Sequence, residues 1–139
     1  MNIKMELVEN AVPEDIKVIQ DGLADYNRTK VGPENYSPMH FFLRDDQNRV
    51  IGGLLGVVYW GWCTVEYLWV SEEVRGQGYG KALLEAAENE ARERGAKNIN
   101  LDTMSFQAPD FYQKLGYHIF GQLDGVPAGH TRYYLTKKL

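Results

Sequence analysis

The sequence predicts one domain of mixed α+β class, with about seven strands and three helices in the order β-α-β-β-β-α-β-α-β-β. Several short segments alternate apolar and polar residues, as strands do, and others repeat apolar residues every three or four positions, as helices do. The chain has 139 residues, enough for one core and too few for two. No repeat or linker interrupts the pattern, so a single domain over residues 1–139 is expected.

The first strand and helix are predicted by a change of period near residue 12. Ile3, Met5 and Leu7 alternate with polar residues in IKMELVE, which indicates a strand. The segment VPEDIKVIQDGLADYN follows, and Pro13 suits the first turn of a helix. One stripe of this helix carries the apolar residues Ile16, Ile19, Leu23 and Tyr26.

Three strands are predicted next, after the break GPENYSP. Their segments are MHFFLRD, VIGGLLGVVYW and CTVEYLWV, and the polar DDQNR and the aromatic WGW are the turns between them. Short strands joined by turns form a meander.

The second half of the chain alternates helices and strands. The segment KALLEAAENEARERG predicts a helix that Gly95 ends, with Glu88 and Arg92 as an i,i+4 pair and an apolar side of Leu84, Ala87 and Ala91. A strand NINLDT, a short helix APDFYQKLG and a strand YHIFGQL follow. The alternating TRYYLTKKL predicts the last strand.

Composition excludes several classes of protein. Fifteen Lys and Arg against nineteen Asp and Glu, without a basic cluster, do not fit a nucleic-acid-binding protein. Neither a membrane-spanning apolar run nor a secretory signal is recognisable, so a cytoplasmic protein is expected. The single cysteine, Cys63, is interpreted as a small buried hydrophobe. His40, His118 and His130 lack metal-ligand spacing, so no metal is expected.

The stretch RGQGYG, residues 75–80, places three glycines directly before a helix. The first N–H groups of a helix are unpaired and lie at the positive end of its dipole, and glycines let a phosphate approach them. The pattern is neither a dinucleotide fingerprint nor a P-loop, because Ala82 follows Gly80-Lys81. A pyrophosphate cradle is the preferred interpretation, and a simple tight turn is the alternative.

Two blocks of the sequence resemble the GCN5-related N-acetyltransferases (GNAT). VSEEVRGQGYGKALL is similar to the acyl-CoA signature R/Q-x-x-G-x-G/A of that family, with Arg75, Gly78 and Gly80 at its defining positions. APDFYQKLGYHIFG resembles the family's A-x-x-F-Y-x-K-x-G-F block. Ser105 departs from the pattern, since many members carry an asparagine there.

The resemblance implies a GNAT fold, in which a central mixed, mostly antiparallel sheet has helices on its faces. The strand ending at Val70 and NINLDT would be parallel neighbours that splay apart, with pantetheine beside Trp69 and Val70. The resemblance also implies that backbone N–H groups of the loop bind the pyrophosphate, and that Lys81 adds charge. The residues expected to bind this part of the cofactor are Arg75, Gly76, Gln77, Gly78, Tyr79, Gly80 and Lys81. For the Arg75 side chain, a solvated surface charge is the alternative.

Two residues are candidates for proton transfer. Tyr112 matches the tyrosine that the family often uses as general acid towards the thiolate of coenzyme A, and a packed core aromatic is its alternative interpretation. Glu66 is the candidate base, because a carboxylate inside the apolar CTVEYLWV is costly unless it faces a cleft or a partner. A salt-bridged or edge-exposed Glu66 is almost as plausible.

The resulting expectation is an N-acetyltransferase that transfers the acetyl group of acetyl-CoA directly to a primary amine of a small molecule or protein. An acyl-CoA sensor or an interaction module without catalysis is the alternative. The acceptor is expected to meet the segments 25–39 and 123–134, because loops vary with substrate on a fixed scaffold. The aromatics Tyr59, Trp60 and Trp62 are left open between core and acceptor pocket. A homodimer that pairs through the C-terminal strand is also expected.

Overall fold

The computed structural model describes all residues from Met1 to Leu139, which form two compact units, Met1–Glu34 and Asn35–Leu139. The first unit contains one helix, α1 (Pro13–Val31), which begins with proline and ends at Gly32. Gly32 has a φ of 78°, and its N–H bonds to the carbonyl of Arg28, as in a helix terminated by glycine. No helix of the chain has the length and apolarity needed to cross a bilayer.

The predicted first strand is absent, since residues 1–8 adopt no regular secondary structure. Alternation of Ile3, Met5 and Leu7 is a necessary feature of a half-buried strand, but a strand exists only where a neighbouring strand pairs with its backbone. No strand of the sheet pairs with this segment.

The second unit is built on a six-stranded sheet in the order β1-β2-β3-β4-β6-β5. Its strands are β1 (Ser37–Arg44), β2 (Val50–Tyr59), β3 (Trp62–Val70), β4 (Asn98–Met104), β5 (His118–Asp124) and β6 (Thr131–Lys138). The β3–β4 pair is parallel and all other pairs are antiparallel. The predicted mixed, mostly antiparallel sheet with flanking helices is confirmed, with six strands instead of seven.

Two helices complete the second unit, α2 (Tyr79–Glu93) and α3 (Pro109–Lys114), and a 3₁₀ turn (Glu72–Val74) precedes α2. Apolar residues of α2 and α3 and of the sheet form the core, which includes Met39, Leu54, Cys63, Leu84, Ala87, Ile99, Tyr112 and Leu135. Cys63 is fully buried, and burial raises its pKa to about 11. It is the small buried hydrophobe that the sequence predicts.

The C-terminal strand β6 lies between β4 and β5, so neither of its edges is free. Two copies of the chain therefore cannot pair edge to edge along this strand, which was the most direct form of the predicted C-terminal contact. The strands with a free edge are β1 and β5. The homodimer itself stays a prediction.

Candidate active site

A gap opens between β3 and β4 after three residue pairs. Trp62, Cys63 and Thr64 pair with Asn98–Asn100, and the two strands share no pair beyond them. The rest of β3 pairs only with β2, while the rest of β4 pairs with β6. The backbone of β3 from Val65 to Val70 is thus unpaired on the side of β4. The parallel, splayed geometry matches the sequence-based expectation, and an extended ligand could pair with this exposed edge.

Glu66 is the extra residue of a β-bulge at the start of the gap. In the β2–β3 ladder Val65 pairs with Gly56 and Tyr67 with Leu55, so Glu66 has no partner in β2. The bulge shifts the alternation of β3: Cys63 and Val65 are buried before it, and Leu68 and Val70 pack on the core after it. The Glu66 side chain is exposed.

This bulge was not predicted from the sequence, although a glycine within a strand is the usual signal of a bulge. A Cβ on Gly56 would lie 2.9 Å from the carbonyl oxygen of Thr64, so a larger residue would push the two strands apart. The bare backbone of Gly56 lets β3 approach at the bulge. The sequence signal for the bulge was therefore Gly56, which pairs with the residue before Glu66, the only carboxylate of the apolar strand β3.

The end of β3 is tied to the glycine loop by Arg75. Its Nε donates a hydrogen bond of 2.8 Å to the carbonyl oxygen of Val70. Val70 packs against the core, whereas Trp69 is exposed. Arg75 is thus more than a solvated charge, because it holds the loop against the strand that borders the gap.

The N-terminus of α2 has no side-chain cap. Its N-cap is Gly78 in the left-handed region, with φ 86° and ψ 7°, and no acidic residue lies in the first turn. The first helical hydrogen bond runs from the N–H of Ala82 to the carbonyl of Gly78 at 3.0 Å. The N–H groups before Ala82, including those of Tyr79, Gly80 and Lys81, are therefore free of helical partners and can bind an anion.

The three glycines of the loop have two different functions in the fold. Gly76 and Gly78 have φ angles of 75° and 86°, and a Cβ on either would meet no atom of the chain. Gly80 has an ordinary helical conformation, but its Cβ would lie 3.4 Å from Cζ of Phe111. Two glycines thus turn the backbone and leave its N–H groups accessible, while the third lets α2 pack on α3. Gln77 and Lys81 are exposed, and Lys81 Nζ lies 3.9 Å from Glu85.

Tyr112 lies on α3 with its ring in the core and only 8% of the residue exposed. Its ring packs edge-on against Phe111 and Tyr117, with centroids 5.1 and 5.9 Å apart. Burial, and to a lesser extent the negative charge of Asp102, raises the pKa of Tyr112 to about 12. The phenol therefore keeps its proton at neutral pH, as a proton donor must.

A buried carboxylate connects the glycine-loop helix with the segment after α3. Glu88 of α2 is 5% exposed and accepts hydrogen bonds from the Tyr117 hydroxyl at 2.7 Å and from Lys137 Nζ at 3.0 Å. Lys137 also donates to the carbonyl of Leu115 at 2.9 Å. These bonds fix α2, the end of α3 and β6 relative to one another. Burial and, after it, the hydrogen bond to Glu88 raise the pKa of Tyr117.

The sequence predicts that Glu88 pairs with Arg92 on the helix. That pair is present, but at 4.0 Å it is longer than the bonds to Tyr117 and Lys137. The signal was its position: Glu88 falls four residues after Leu84 and three before Ala91, on the apolar stripe. A carboxylate on an apolar stripe indicates a buried partner.

Ser105, the departure from the family pattern, has a structural function in this chain. Its N–H donates to the Thr131 carbonyl at 2.7 Å, and its hydroxyl accepts from the Thr131 N–H at 3.0 Å. The loop after β4 is thereby fixed to the start of β6.

The aromatic residues that the sequence left open lie at the β2–β3 turn. Trp60 and Gly61 form this turn, both with positive φ, and the Tyr59 ring packs on Tyr36 and Trp60. The turn precedes Trp62, while the gap begins after Thr64 and extends to Val70. These aromatics therefore lie at the end of β3 that is remote from the gap.

Comparison with known proteins gives a consistent result over most of the chain. Residues 7–117 match the model of the acetyltransferase (GNAT) family. An acetyltransferase of Agrobacterium fabrum is 36% identical over 138 residues, which cover 99% of each chain. A blasticidin-S acetyltransferase of Streptomyces morookaense is 40% identical over 95 residues, 68% of this chain and 70% of that protein.

The fold has a counterpart among crystal structures. A protein of Agrobacterium tumefaciens that is proposed to be an acetyltransferase superposes with a TM-score of 0.92 and 35% identity. The match covers 99% of this chain and all of the other.

Proposed function

This chain belongs to the GNAT family of acetyltransferases, and we propose that it transfers the acetyl group of acetyl-CoA directly to a primary amine of a small molecule. It is an acetyltransferase, with acetyl-CoA as the donor. The small-molecule acceptor, the ternary complex of protein, acetyl-CoA and amine, and the residues that move protons are parts of this proposal.

The observation that supports the proposal best is the continuity between the gap and the glycine loop. The unpaired edge of β3 ends at Val70, whose carbonyl is bound by Arg75, and the uncapped N–H groups of α2 follow within a few residues. An extended chain with a pyrophosphate at one end needs this arrangement: a strand edge for its amide groups and a helix N-terminus for its charge.

Proton transfer is assigned to Glu66 and Tyr112. The amine nitrogen forms a bond to the thioester carbonyl carbon as the carbon–sulfur bond breaks. Glu66 takes the proton that the amine loses, directly or through a water molecule, since its exposed side chain lies at the start of the gap. Tyr112 donates its phenolic proton to the departing sulfur, and both residues return to their starting states by exchange with solvent.

The acceptor that we propose is a small-molecule amine. The support is the relative of Streptomyces morookaense, which is named for its action on blasticidin S. A panel that contains blasticidin S, spermidine, lysine, an aminoglycoside and a peptide with a free N-terminus tests this proposal, with release of free thiol from acetyl-CoA as the readout. We expect thiol release in proportion to at least one small amine, and release with the peptide alone would show a protein acceptor.

The same panel of amines distinguishes an acetyltransferase from an acyl-CoA sensor without catalysis. A sensor would bind coenzyme A in a calorimeter and yet release no thiol with any amine. An interaction module would show neither binding nor release.

We expect Glu66→Gln to lower turnover roughly 10²-fold or more, the usual contribution of a general base, and to remove the acidic limb of the pH–rate profile. The amide keeps the shape of the side chain but cannot accept the amine proton. Steady-state rates between pH 5 and 9 measure the effect, with Glu72→Gln in the exposed 3₁₀ turn as the control for loss of one negative charge. An acidic limb that survives in Glu66→Gln would assign proton removal to water.

A further inference from the structure

The buried carboxylate of Glu88 holds both sides of the turn that follows α3. Its Oε2 accepts a hydrogen bond from the Tyr117 hydroxyl at 2.7 Å, and its Oε1 accepts one from Lys137 Nζ at 3.0 Å. Lys137 Nζ also donates to the carbonyl oxygen of Leu115 at 2.9 Å. All four residues belong to the unit Asn35–Leu139, so this network is formed within one unit.

The same turn contains the hydrogen bonds that fix Tyr112. The carbonyl oxygen of Tyr112 accepts from the N–H of Leu115 at 3.0 Å and from the N–H of Tyr117 at 3.1 Å. Gly116, with φ 93°, turns the backbone so that the second of these bonds can form. The rings of Tyr112 and Tyr117 also meet edge-on, with their planes at 70°. Tyr117 therefore contacts Tyr112 through its backbone and its ring, and Glu88 holds the hydroxyl of Tyr117.

Stability alone does not account for a carboxylate at position 88. Glu88 lies between the buried Leu84 and Ala91 on the apolar side of α2. Replacement of a buried ion pair by apolar residues of similar volume is often neutral or stabilising. Glu88 differs from an apolar residue in direction, because its two charge-assisted hydrogen bonds have a fixed geometry. Since α2 begins at the glycine loop, these bonds also set the position of the α3 turn relative to the proposed pyrophosphate cradle.

We propose that Glu88 is a positioning residue for the reaction, which acts through its two hydrogen-bond partners to hold the phenol of Tyr112 within reach of the departing sulfur. This inference rests on the proposed function of Tyr112 as the acid. A proton donor must lie within hydrogen-bond distance of its acceptor, and misplacement of a reacting group by about 1 Å can cost roughly 10²-fold in rate. Without the bonds to Glu88, the turn after α3 is free to shift relative to α2, and the Tyr112 ring shifts with it.

A double-mutant cycle of Glu88→Leu and Tyr112→Phe tests this role. Leucine suits the apolar side of α2 and removes both hydrogen bonds. We expect Glu88→Leu to lower kcat by about tenfold or more in the wild-type background and by less than about twofold in Tyr112→Phe. The reason is that a residue acting through the phenol has no effect once the phenol is absent. The affinity for coenzyme A should stay within about twofold throughout, because the N–H groups at the start of α2 are unchanged.

Arg94→Met is the matched control for lost hydrogen bonds of α2. Nη1 of Arg94 donates to Ser37 Oγ at 2.7 Å and to the carbonyl oxygens of Ser37 and Pro38 at 3.2 and 2.9 Å. These bonds tie the end of α2 to β1 and do not reach α3. We therefore expect Arg94→Met to leave kcat within about twofold of the wild-type value.

A conservative variant and a spectroscopic readout guard against a Glu88→Leu protein that fails to fold. In Glu88→Gln the carboxamide still accepts from Lys137 and can donate to the Tyr117 hydroxyl oxygen, so this variant should keep most of the turnover that Glu88→Leu loses. In protein labelled with 3-fluorotyrosine, the fluorine NMR signal of Tyr112 is the one absent from Tyr112→Phe. We expect Glu88→Leu to shift or broaden this signal, Glu88→Gln to change it much less, and Arg94→Met to leave it in place. The measurement needs neither amine nor coenzyme A.

Two results would overturn the positioning role. The first is a kcat that Glu88→Leu leaves unchanged, or lowers equally in both backgrounds, because Glu88 would then not act through the phenol. The second is a Tyr112 fluorine signal that Glu88→Leu does not change. A Tyr112→Phe variant with full turnover is a separate failure: it refutes the proposed acid, and the catalytic role of Glu88 with it, whatever the fluorine signal shows.

Discussion

We expect the replacement of Gly78 by valine to lower the affinity for coenzyme A at least tenfold, equivalent to ~1.4 kcal/mol. Gly78 is the N-cap of α2 at φ 86°, where a residue with a Cβ is strained by about 1–2 kcal/mol. A β-branched side chain at this position also occupies the space through which a phosphate reaches the N–H groups of the helix. Isothermal calorimetry with coenzyme A measures the loss.

Gly95→Val is the matched control for this experiment. Gly95 follows α2 at its other end with the same φ of 86°, and a Cβ would again meet no atom of the chain. The two substitutions should therefore cost similar stability in thermal unfolding. Only the change at the N-terminal end should weaken coenzyme A binding, and equal affinities for the two variants would argue against the pyrophosphate cradle.

We expect Tyr112→Phe to lower kcat by roughly 10²-fold or more and to leave the affinity for acetyl-CoA unchanged. The substitution keeps the ring that packs on Phe111 and Tyr117 and removes only the hydroxyl, which is the proposed proton donor to sulfur. Single-turnover rates and calorimetry with coenzyme A separate the two quantities. If turnover hardly changes, Tyr112 is a packing residue and water protonates the thiolate.

Tyr117→Phe controls for the loss of a buried hydroxyl next to the same ring. Its hydroxyl bonds to Glu88, so we expect this variant to lose about 1.5–3 kcal/mol of stability, the usual value for a hydrogen bond to a charged group. Its turnover should fall far less than that of Tyr112→Phe. The pair of variants therefore distinguishes a proton donor from a structural hydrogen bond.

The pH dependence of Tyr112 follows from its raised pKa. The folded protein favours the neutral phenol, so the corresponding stability is fully present below pH 10, the ordinary value, and is lost as the pH rises towards about 12. Tyr112 consequently keeps its phenolic proton throughout the neutral and mildly alkaline range. A basic limb of kcat below pH 10 should therefore persist in Tyr112→Phe, because another group causes it.

The glycine loop could be predicted from the sequence because its chemistry is local. The positions of Gly76 and Gly78 relative to a helix that starts at Tyr79 determine which N–H groups are free, and six residues contain this information. The segment APDFYQKLG likewise predicts from neighbouring residues alone that Tyr112 lies on a helix. Periodicity likewise sufficed to locate α2 and all six strands of the sheet in order, since it reports which face of each element is buried.

The sequence by itself determined the family, the order of the elements from α1 onward, and the glycine loop before α2. Only the tertiary structure decided where β3 and β4 separate, that Glu66 is the extra residue of a bulge, and that Glu88 is buried with Tyr117 and Lys137. It also decided that residues 1–8 form no strand within one chain. The physical reason is the range of the interactions: caps, turns and periodicity depend on neighbours in the sequence, whereas strand pairing, bulges and buried ion pairs depend on a partner that is distant in the chain.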